Sequence, residues 1–246
     1  MTQLCSYAET EMEMENNDAA ITENIKRVRE IIAEAAIKSG RAPGDITLVA
    51  ASKTKPARMI RQAIAAGVDA VGENRVQEMT EKNAEGAYFG APLHFIGHLQ
   101  SNKVSKVVGV CDLIESVGSG ALALQIGKRA ASLGIVQDVL IEVNIGREPQ
   151  KSGILPEQTE EILELVSKTG GVKVLGFMAI PPVYNQNDKC CNYFDVMLKL
   201  FIDMSRKKYD NVSVQFLSMG MSDSYAEAII AGSNMVRIGS AIFGLR

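Results

Sequence analysis

The sequence predicts an α/β fold, a single (β/α)8 barrel of the TIM type. Strand-like and helix-like segments alternate from residue 46 onward, and eight of them are strand-like. This alternation is typical of parallel sheets. The main alternative is an open, doubly wound sheet, but no GxGxxG sequence follows the first strand. A chain of 246 residues is long enough for one barrel.

Two regions are predicted: a flexible acidic extension over residues 1–19, which has no apolar period, and a barrel domain over residues 20–246. A first amphipathic helix should run from Ala20 to Ser39, with Gly40 ending it. The predicted strands are 46–52, 70–72, 93–96, 113–116, 139–144, 172–178, 214–217 and 235–238. The helices between and after them are 56–66, 75–84, 101–108, 119–133, 156–168, 188–208 and 222–231. No full helix can follow the eighth strand, so helix 20–39 is expected to fill that gap in the outer ring.

Composition narrows the possible functions. The net charge of −3 and the pI near 5.6 provide no basic surface for nucleic acid, and no apolar run is long enough to span a bilayer. The four cysteines form neither a CxxC pair nor a zinc pattern, and the two histidines lack further metal ligands at suitable spacing. We therefore expect a soluble, cytoplasmic monomer without a metal site.

Lys53 is the main chemical feature, because it follows an apolar run at the point where a barrel strand should lead into a helix. Strand parity with Val49 and Ala51 would direct its side chain to the barrel interior. A buried amine there is a usable nucleophile for a Schiff base. Lys55 has the same parity, so alternation cannot separate the two. We prefer Lys53 because the strand ends there, and we expect Lys55 to be solvated.

Two distant segments, residues 217–222 and 236–240, end the last two strands, where barrels often bind phosphate. Ser222 is predicted to be the N-cap of the following helix, with its hydroxyl facing an anion. Gly239 allows close backbone approach, so its amide and that of Ser240 can donate. An imine-forming lysine opposite a phosphate site predicts pyridoxal 5′-phosphate (PLP) as cofactor.

Arginine, histidine and glutamate residues near the strand ends also have predicted roles. Arg237 shares a strand face with Gly239 and is predicted to lie opposite the pyridine nitrogen. As a permanent donor, it would keep that nitrogen unprotonated and weaken the electron sink. His94 and His98 are interpreted as packing or polar-network residues. Glu73 is expected to pair with a nearby basic residue.

Six segments together resemble the pyridoxal phosphate homeostasis proteins, the YggS/PROSC family. They are residues 51–56, 72–78, 94–103, 178–181, 217–223 and 236–244, and the resemblance runs from about Ile25 to the last residue. One departure is Ser224, where the family usually has aspartate. The resemblance implies a barrel similar to the N-terminal domain of alanine racemase, and an internal aldimine between Lys53 and PLP.

The resemblance also implies roles for the other candidate residues. Ser222, Gly239 and Ser240 would bind the phosphate, and Arg237 would face the pyridine nitrogen. The remaining candidates are Asn74 near the ring hydroxyl and Ser218 and Met219 in the pocket wall.

Three functions are compatible with these residues. The favoured one is a PLP-binding protein with little or no turnover, which helps balance B6 vitamers and amino and keto acids in the cell, with apo PLP-dependent enzymes as candidate partners. The second is a PLP-dependent amino-acid racemase, which needs two bases, and the sequence offers no convincing second base. The third is a cofactor-free Schiff-base aldolase whose substrate carries the phosphate.

Overall fold

Eight parallel strands form a closed barrel in the computed structural model, which describes residues 2–182 and 191–244. Each strand pairs with the next along the chain, and β8 returns to pair with β1. The predicted (β/α)8 barrel is therefore confirmed. The strands are β1 Thr47–Ala51, β2 Ala70–Glu73, β3 Leu93–Phe95, β4 Leu113–Val117, β5 Gln137–Val143, β6 Val172–Ala179, β7 Val212–Ser218 and β8 Met235–Ile238.

Helices surround the barrel on its outside. Within the described ranges they are α1 Thr2–Lys38, α2 Ala57–Ala65, α3 Val76–Ala84, α4 Val104–Val107, α5 Gly120–Ser132, α6 Thr159–Ser167, α7 Cys191–Ser205, α8 Tyr225–Ile230 and α9 Ser240–Phe243. The predicted start of the seventh barrel helix, residue 188, lies outside the described residues. In the part of the chain that is described, no helix has the length and apolar character needed to cross a membrane.

Helix α1 begins at Thr2, well before the predicted Ala20. No glycine or proline occurs between residues 2 and 38, so the sequence contains nothing that would end a helix there. Its buried residues include Ile21, Ile25 and Val28, and it packs against α2, α8 and α9. The expectation that this helix closes the outer ring is confirmed. The domain boundary between residues 19 and 20 remains a prediction.

Side chains along the strands alternate between two layers. Val49, Leu113 and Met235 belong to a small apolar cluster inside the barrel. Their strand neighbours Leu48 and Ile114 belong to the large cluster beneath the helices. The interior positions nearer the carboxyl ends of the strands are polar in several places, and these polar residues build the candidate site.

Candidate functional site

Lys53 lies at the tip of a tight turn that follows β1. The amide of Lys55 donates to the carbonyl of Ser52 at 2.9 Å and closes the turn. Thr54 has a φ of 56°, a left-handed conformation that is uncommon for a β-branched residue. Its amide donates to Glu78 Oε2 at 2.8 Å, which ties the turn to α3. The turn exposes Lys53 at the carboxyl end of the barrel, so the expected burial of this side chain is wrong.

A buried cluster of polar side chains is hydrogen-bonded to the start of this turn. Glu73 is fully buried at the end of β2, and its Oε1 accepts hydrogen bonds from the Ser52 hydroxyl, from Lys82 Nζ at 2.6 Å and from the Tyr88 hydroxyl at 3.2 Å. The predicted pairing of Glu73 with a basic residue is confirmed, and the partner is Lys82. Because these groups come from the turn after β1, from β2, from α3 and from the loop after α3, the cluster fixes the position from which Lys53 projects.

Lys55 has a different environment from Lys53. Its Nζ donates to the carbonyl of Phe243 in α9 at 3.0 Å, and the residue is half-buried. The expectation that Lys55 is solvated is therefore wrong. The contact gives Lys55 a structural role that strand alternation could not reveal, since it joins the loop after β1 to the last helix.

The turns that follow β7 and β8 meet at Ser222. Its Oγ accepts the amide hydrogens of Gly239 and Ala241, each at 3.3 Å. The prediction that Ser222 is the N-cap of α8 is wrong, because α8 begins at Tyr225 and its N-cap is Ser224. An extra turn, in which the Ser224 amide donates to the Met221 carbonyl at 2.9 Å, delays the start of that helix. Ser222 instead lies against the first turn of α9.

Gly239 allows the close approach that the sequence predicted. A Cβ at this position would lie 3.1 Å from the carbonyl oxygen of Ala51, which is tighter than ordinary contact. The register explains the proximity, since Val49 pairs with Arg237 and Ala50 with Ile238. The turn after β8 therefore lies directly beside the turn that carries Lys53.

A cavity of about 270 Å³ opens between these turns. Five of the eight predicted site residues line it: Lys53, Ser222, Arg237, Gly239 and Ser240. The other three do not. Asn74 lines a neighbouring cavity of about 480 Å³ beside α3, and Ser218 and Met219 are fully buried.

Arg237 is connected to a buried hydrogen-bonded network inside the barrel. One guanidinium nitrogen, Nη1, donates to the Ser218 hydroxyl, and Nη2 donates to the carbonyl of Ala179 at 3.0 Å. The Ser218 hydroxyl donates to Glu115 Oε2 at 2.6 Å, and Glu115 Oε1 bonds His94 Nδ1 at 2.8 Å. His94 thus belongs to a polar network, which confirms one of the two interpretations given to it.

The charges in this network stabilise one another. Burial alone would raise the pKa of Glu115, but the hydrogen bond and charge of His94, followed by Arg237 and Ser218, lower it below its ordinary value. Burial lowers the pKa of Arg237, while the nearby carboxylates of Glu115 and Glu142 oppose that change. An arginine remains charged under these conditions. The barrel interior therefore contains a Glu115–Arg237 ion pair, with Nη1 and Oε2 3.7 Å apart.

Sequence reasoning missed Glu115. On β4, Leu113 faces the barrel interior and Ile114 faces the helices, so the next residue must face inward. The sequence could therefore have indicated that Glu115 is an inward-facing carboxylate near the end of β4. The same alternation on β5 places Glu142 inside the barrel, after the inward Leu140.

A larger cavity, of about 520 Å³, lies on the other side of the barrel mouth. His98, Glu142, Lys151 and Ser152 are among its lining residues. Glu142 Oε1 accepts from the Ser152 hydroxyl at 3.0 Å, and burial raises the pKa of Glu142 despite that bond. Size alone would favour this cavity as the site. We favour the smaller cavity, because Lys53, Arg237 and the Gly239–Ser240 turn all line it.

Comparisons with known proteins identify the family of this chain. The sequence matches the family profile of the alanine racemase N-terminal domain over residues 17–246. It is 42% identical to the pyridoxal phosphate homeostasis protein of Aquifex aeolicus over 224 residues, covering 91% of this chain and 97% of the relative. The protein of that name from Escherichia coli K12 is 39% identical over 230 residues, covering 92% and 97%.

The chain belongs to the pyridoxal phosphate homeostasis protein family. A solved structure of PipY from Synechococcus elongatus PCC7942, with PLP bound, superposes with a TM-score of 0.78 at 30% identity. The match covers 91% of this chain and all of PipY. The resemblance found in the sequence motifs is therefore confirmed at the level of the family, and the individual site residues remain predictions.

Proposed function

We propose that this protein binds PLP in the 270 Å³ cavity and takes part in the homeostasis of PLP and other B6 vitamers. The observation that carries the proposal is that Lys53, Ser222, Arg237 and the Gly239–Ser240 turn line one cavity, although they come from three different strand ends. Membership of the homeostasis family and the PLP bound to PipY support it.

The residues fit a phosphorylated aldehyde. The Ser222 hydroxyl and the Ser240 amide are donors suited to a phosphate, and the Gly239 amide, which donates to Ser222 Oγ, would exchange that partner for the phosphate. The Lys53 amine would condense with the aldehyde to form a Schiff base and release water. Arg237 uses two of its five N–H groups on Ser218 and Ala179, so donors remain for the ring nitrogen.

Bound PLP supplies an electron sink, whose strength depends on protonation of its ring nitrogen. Arg237 can only donate to that nitrogen, so it disfavours the protonated ring. The arrangement suits a protein that retains the cofactor with little or no turnover. We propose that it acts as a monomer, helps balance amino and keto acids, and releases PLP to apo-enzymes.

A matched pair of substitutions tests the proposal. We expect the wild-type protein and Lys55→Gln to bind PLP with a visible absorption band, and Lys53→Gln to lose that band. Borohydride followed by mass spectrometry should locate the modification at Lys53. Glutamine can still donate to Phe243 at position 55, so the control keeps the structural contact described above.

Two results would contradict the proposal: a wild-type protein that cannot be loaded with PLP, or a modification at Lys55. Incubation of the loaded protein with L-alanine, followed by assay for D-alanine, tests the racemase alternative. Rapid formation of D-alanine would replace the binding role with catalysis.

A further inference from the structure

Arg237 reaches the cofactor cavity from a buried chain of polar side chains that crosses the barrel interior. The chain runs from His94 through Glu115 and Ser218 to Arg237. Each of these side chains lies in the barrel, with at most 6% of the residue exposed. Four strands, β3, β4, β7 and β8, contribute one residue each, so the sequence separations are large.

Glu115 is the central member of this chain. One carboxylate oxygen bonds His94, and the other bonds Ser218 and lies 3.7 Å from Arg237 Nη1. Both oxygens therefore have partners. A buried carboxylate with both oxygens paired restricts its own rotamer and the rotamers of its partners. The guanidinium is fixed from a second direction by the Ala179 carbonyl at 3.0 Å.

We propose that Glu115 is a positioning residue for the cofactor site, which sets the orientation of Arg237 directly and through Ser218. The inference rests on the proposed function, because the group that Arg237 would face is the pyridine nitrogen of PLP. Glu115 does not line the cavity, so it acts only through Arg237. A preorganised guanidinium binds its ligand without first losing rotamer freedom.

Three single variants test this role. Glu115→Gln removes the charge, Ser218→Ala removes the bridging hydroxyl, and Glu142→Gln is the control. Glu142 is a buried carboxylate that influences Arg237 through charge, and its described hydrogen bond is to Ser152 at 3.0 Å. For each variant we would measure the PLP dissociation constant, the visible spectrum of the bound cofactor and the thermal unfolding of the protein without PLP.

We expect Glu115→Gln to weaken PLP binding by about tenfold or more, the loss seen when outer partners of metal ligands are removed. The absorption maximum of the bound cofactor should also shift, because the ring nitrogen has a displaced partner. Ser218→Ala should change both properties in the same direction. Glu142→Gln should leave the spectrum as in the wild type. The spectral shift distinguishes positioning from a general loss of stability.

A double variant makes the test stricter. Since Glu115 and Ser218 act on one guanidinium, the combined variant should lose less affinity than the sum of the two single losses. The inference is overturned if Glu115→Gln, or Ser218→Ala where the former does not fold, binds PLP with wild-type affinity and spectrum. An equal spectral shift in Glu142→Gln would also overturn it. A wild-type protein that forms no Schiff base at Lys53 would instead refute the proposed function.

Discussion

The Ser222 hydroxyl was predicted to cap α8, but it lies at the start of α9 instead. It contacts two amides at the start of α9, where a phosphate would also be received. We predict that Ser222→Ala weakens PLP binding by about tenfold or more, because a hydrogen bond to a charged group is lost. Binding of pyridoxal, which has no phosphate, should change little.

Ser224→Ala is the matched control for this prediction. Ser224 lies in the same loop, and its Oγ accepts the amide of Met221 at 3.3 Å. Isothermal titration of PLP and of pyridoxal into both variants separates the two serines. A parallel loss for PLP and pyridoxal in Ser222→Ala would argue against a phosphate contact.

Glu142 provides a prediction about pH. Burial raises the pKa of its carboxyl in the folded state, so the folded protein binds a proton more readily than the unfolded chain. The ionised side chain therefore opposes folding at neutral pH, and this penalty disappears below the ordinary pKa of glutamate. We predict that Glu142→Gln raises the free energy of unfolding at neutral pH by about 1 kcal/mol, the size of a typical single substitution.

Urea unfolding at several pH values checks this sign. The difference between Glu142→Gln and the wild type should be largest at neutral pH and should shrink as the solution becomes acidic. A difference that grows on acidification would mean that the carboxylate stabilises the fold.

At the scale of the single residue, strand position was predictable and side-chain partners were not. Arg237 and Gly239 could be placed on one face from their spacing, because alternation follows from backbone geometry. The bond from Ser218 to Glu115 joins residues 103 positions apart, so no local pattern could reveal it. Asn74 shows a further limit, since it lies at the predicted strand end but lines a neighbouring cavity.

Helix α1 is the element with the clearest testable role. Its residues from Ile21 onward contribute to the core, whereas Asp18 makes a surface ion pair with Arg58 at 2.7 Å. We predict that deletion of residues 1–19 leaves PLP binding intact. The loss of this partly exposed ion pair should cost at most about 1 kcal/mol, which corresponds to a fall in Tm of roughly 2–4 °C.

Deletion of residues 1–38 serves as the comparison, because it also removes the buried stripe that packs against α2, α8 and α9. That protein should fail to fold. Loss of PLP binding in the shorter deletion, measured by the same titration, would contradict the prediction.

Element boundaries were harder to predict than element types. The helical period predicted α1 from Ala20. The helix begins at Thr2 instead, because no glycine or proline before residue 20 interrupts it. At α8, the turn that precedes Tyr225 moved the start three residues beyond Ser222. At α8 the local hydrogen bonding decided the boundary, and that information is weak in a single sequence.

For the whole molecule, the closed barrel explains why a site could be predicted from distant segments. Strands β1 and β8 lie side by side, with Ala50 paired to Ile238, although these two residues are 188 positions apart in the sequence. Their carboxyl ends must therefore share one rim. The hydrogen-bonded network from His94 to Arg237 could not be predicted in the same way, because the register between strands decides which inward side chains meet.

The two histidines occupy different depths of the same barrel. His94 is buried beside Glu115, whereas His98 is exposed and lines two of the cavities at the mouth. Since the chain has two histidines in total, its imidazole Hε1 protons give two signals that can be assigned with one substitution. Unlabelled protein thus carries its own pair of magnetic-resonance reporters, one at the surface and one in the interior, for following how far a ligand's effect extends down the barrel.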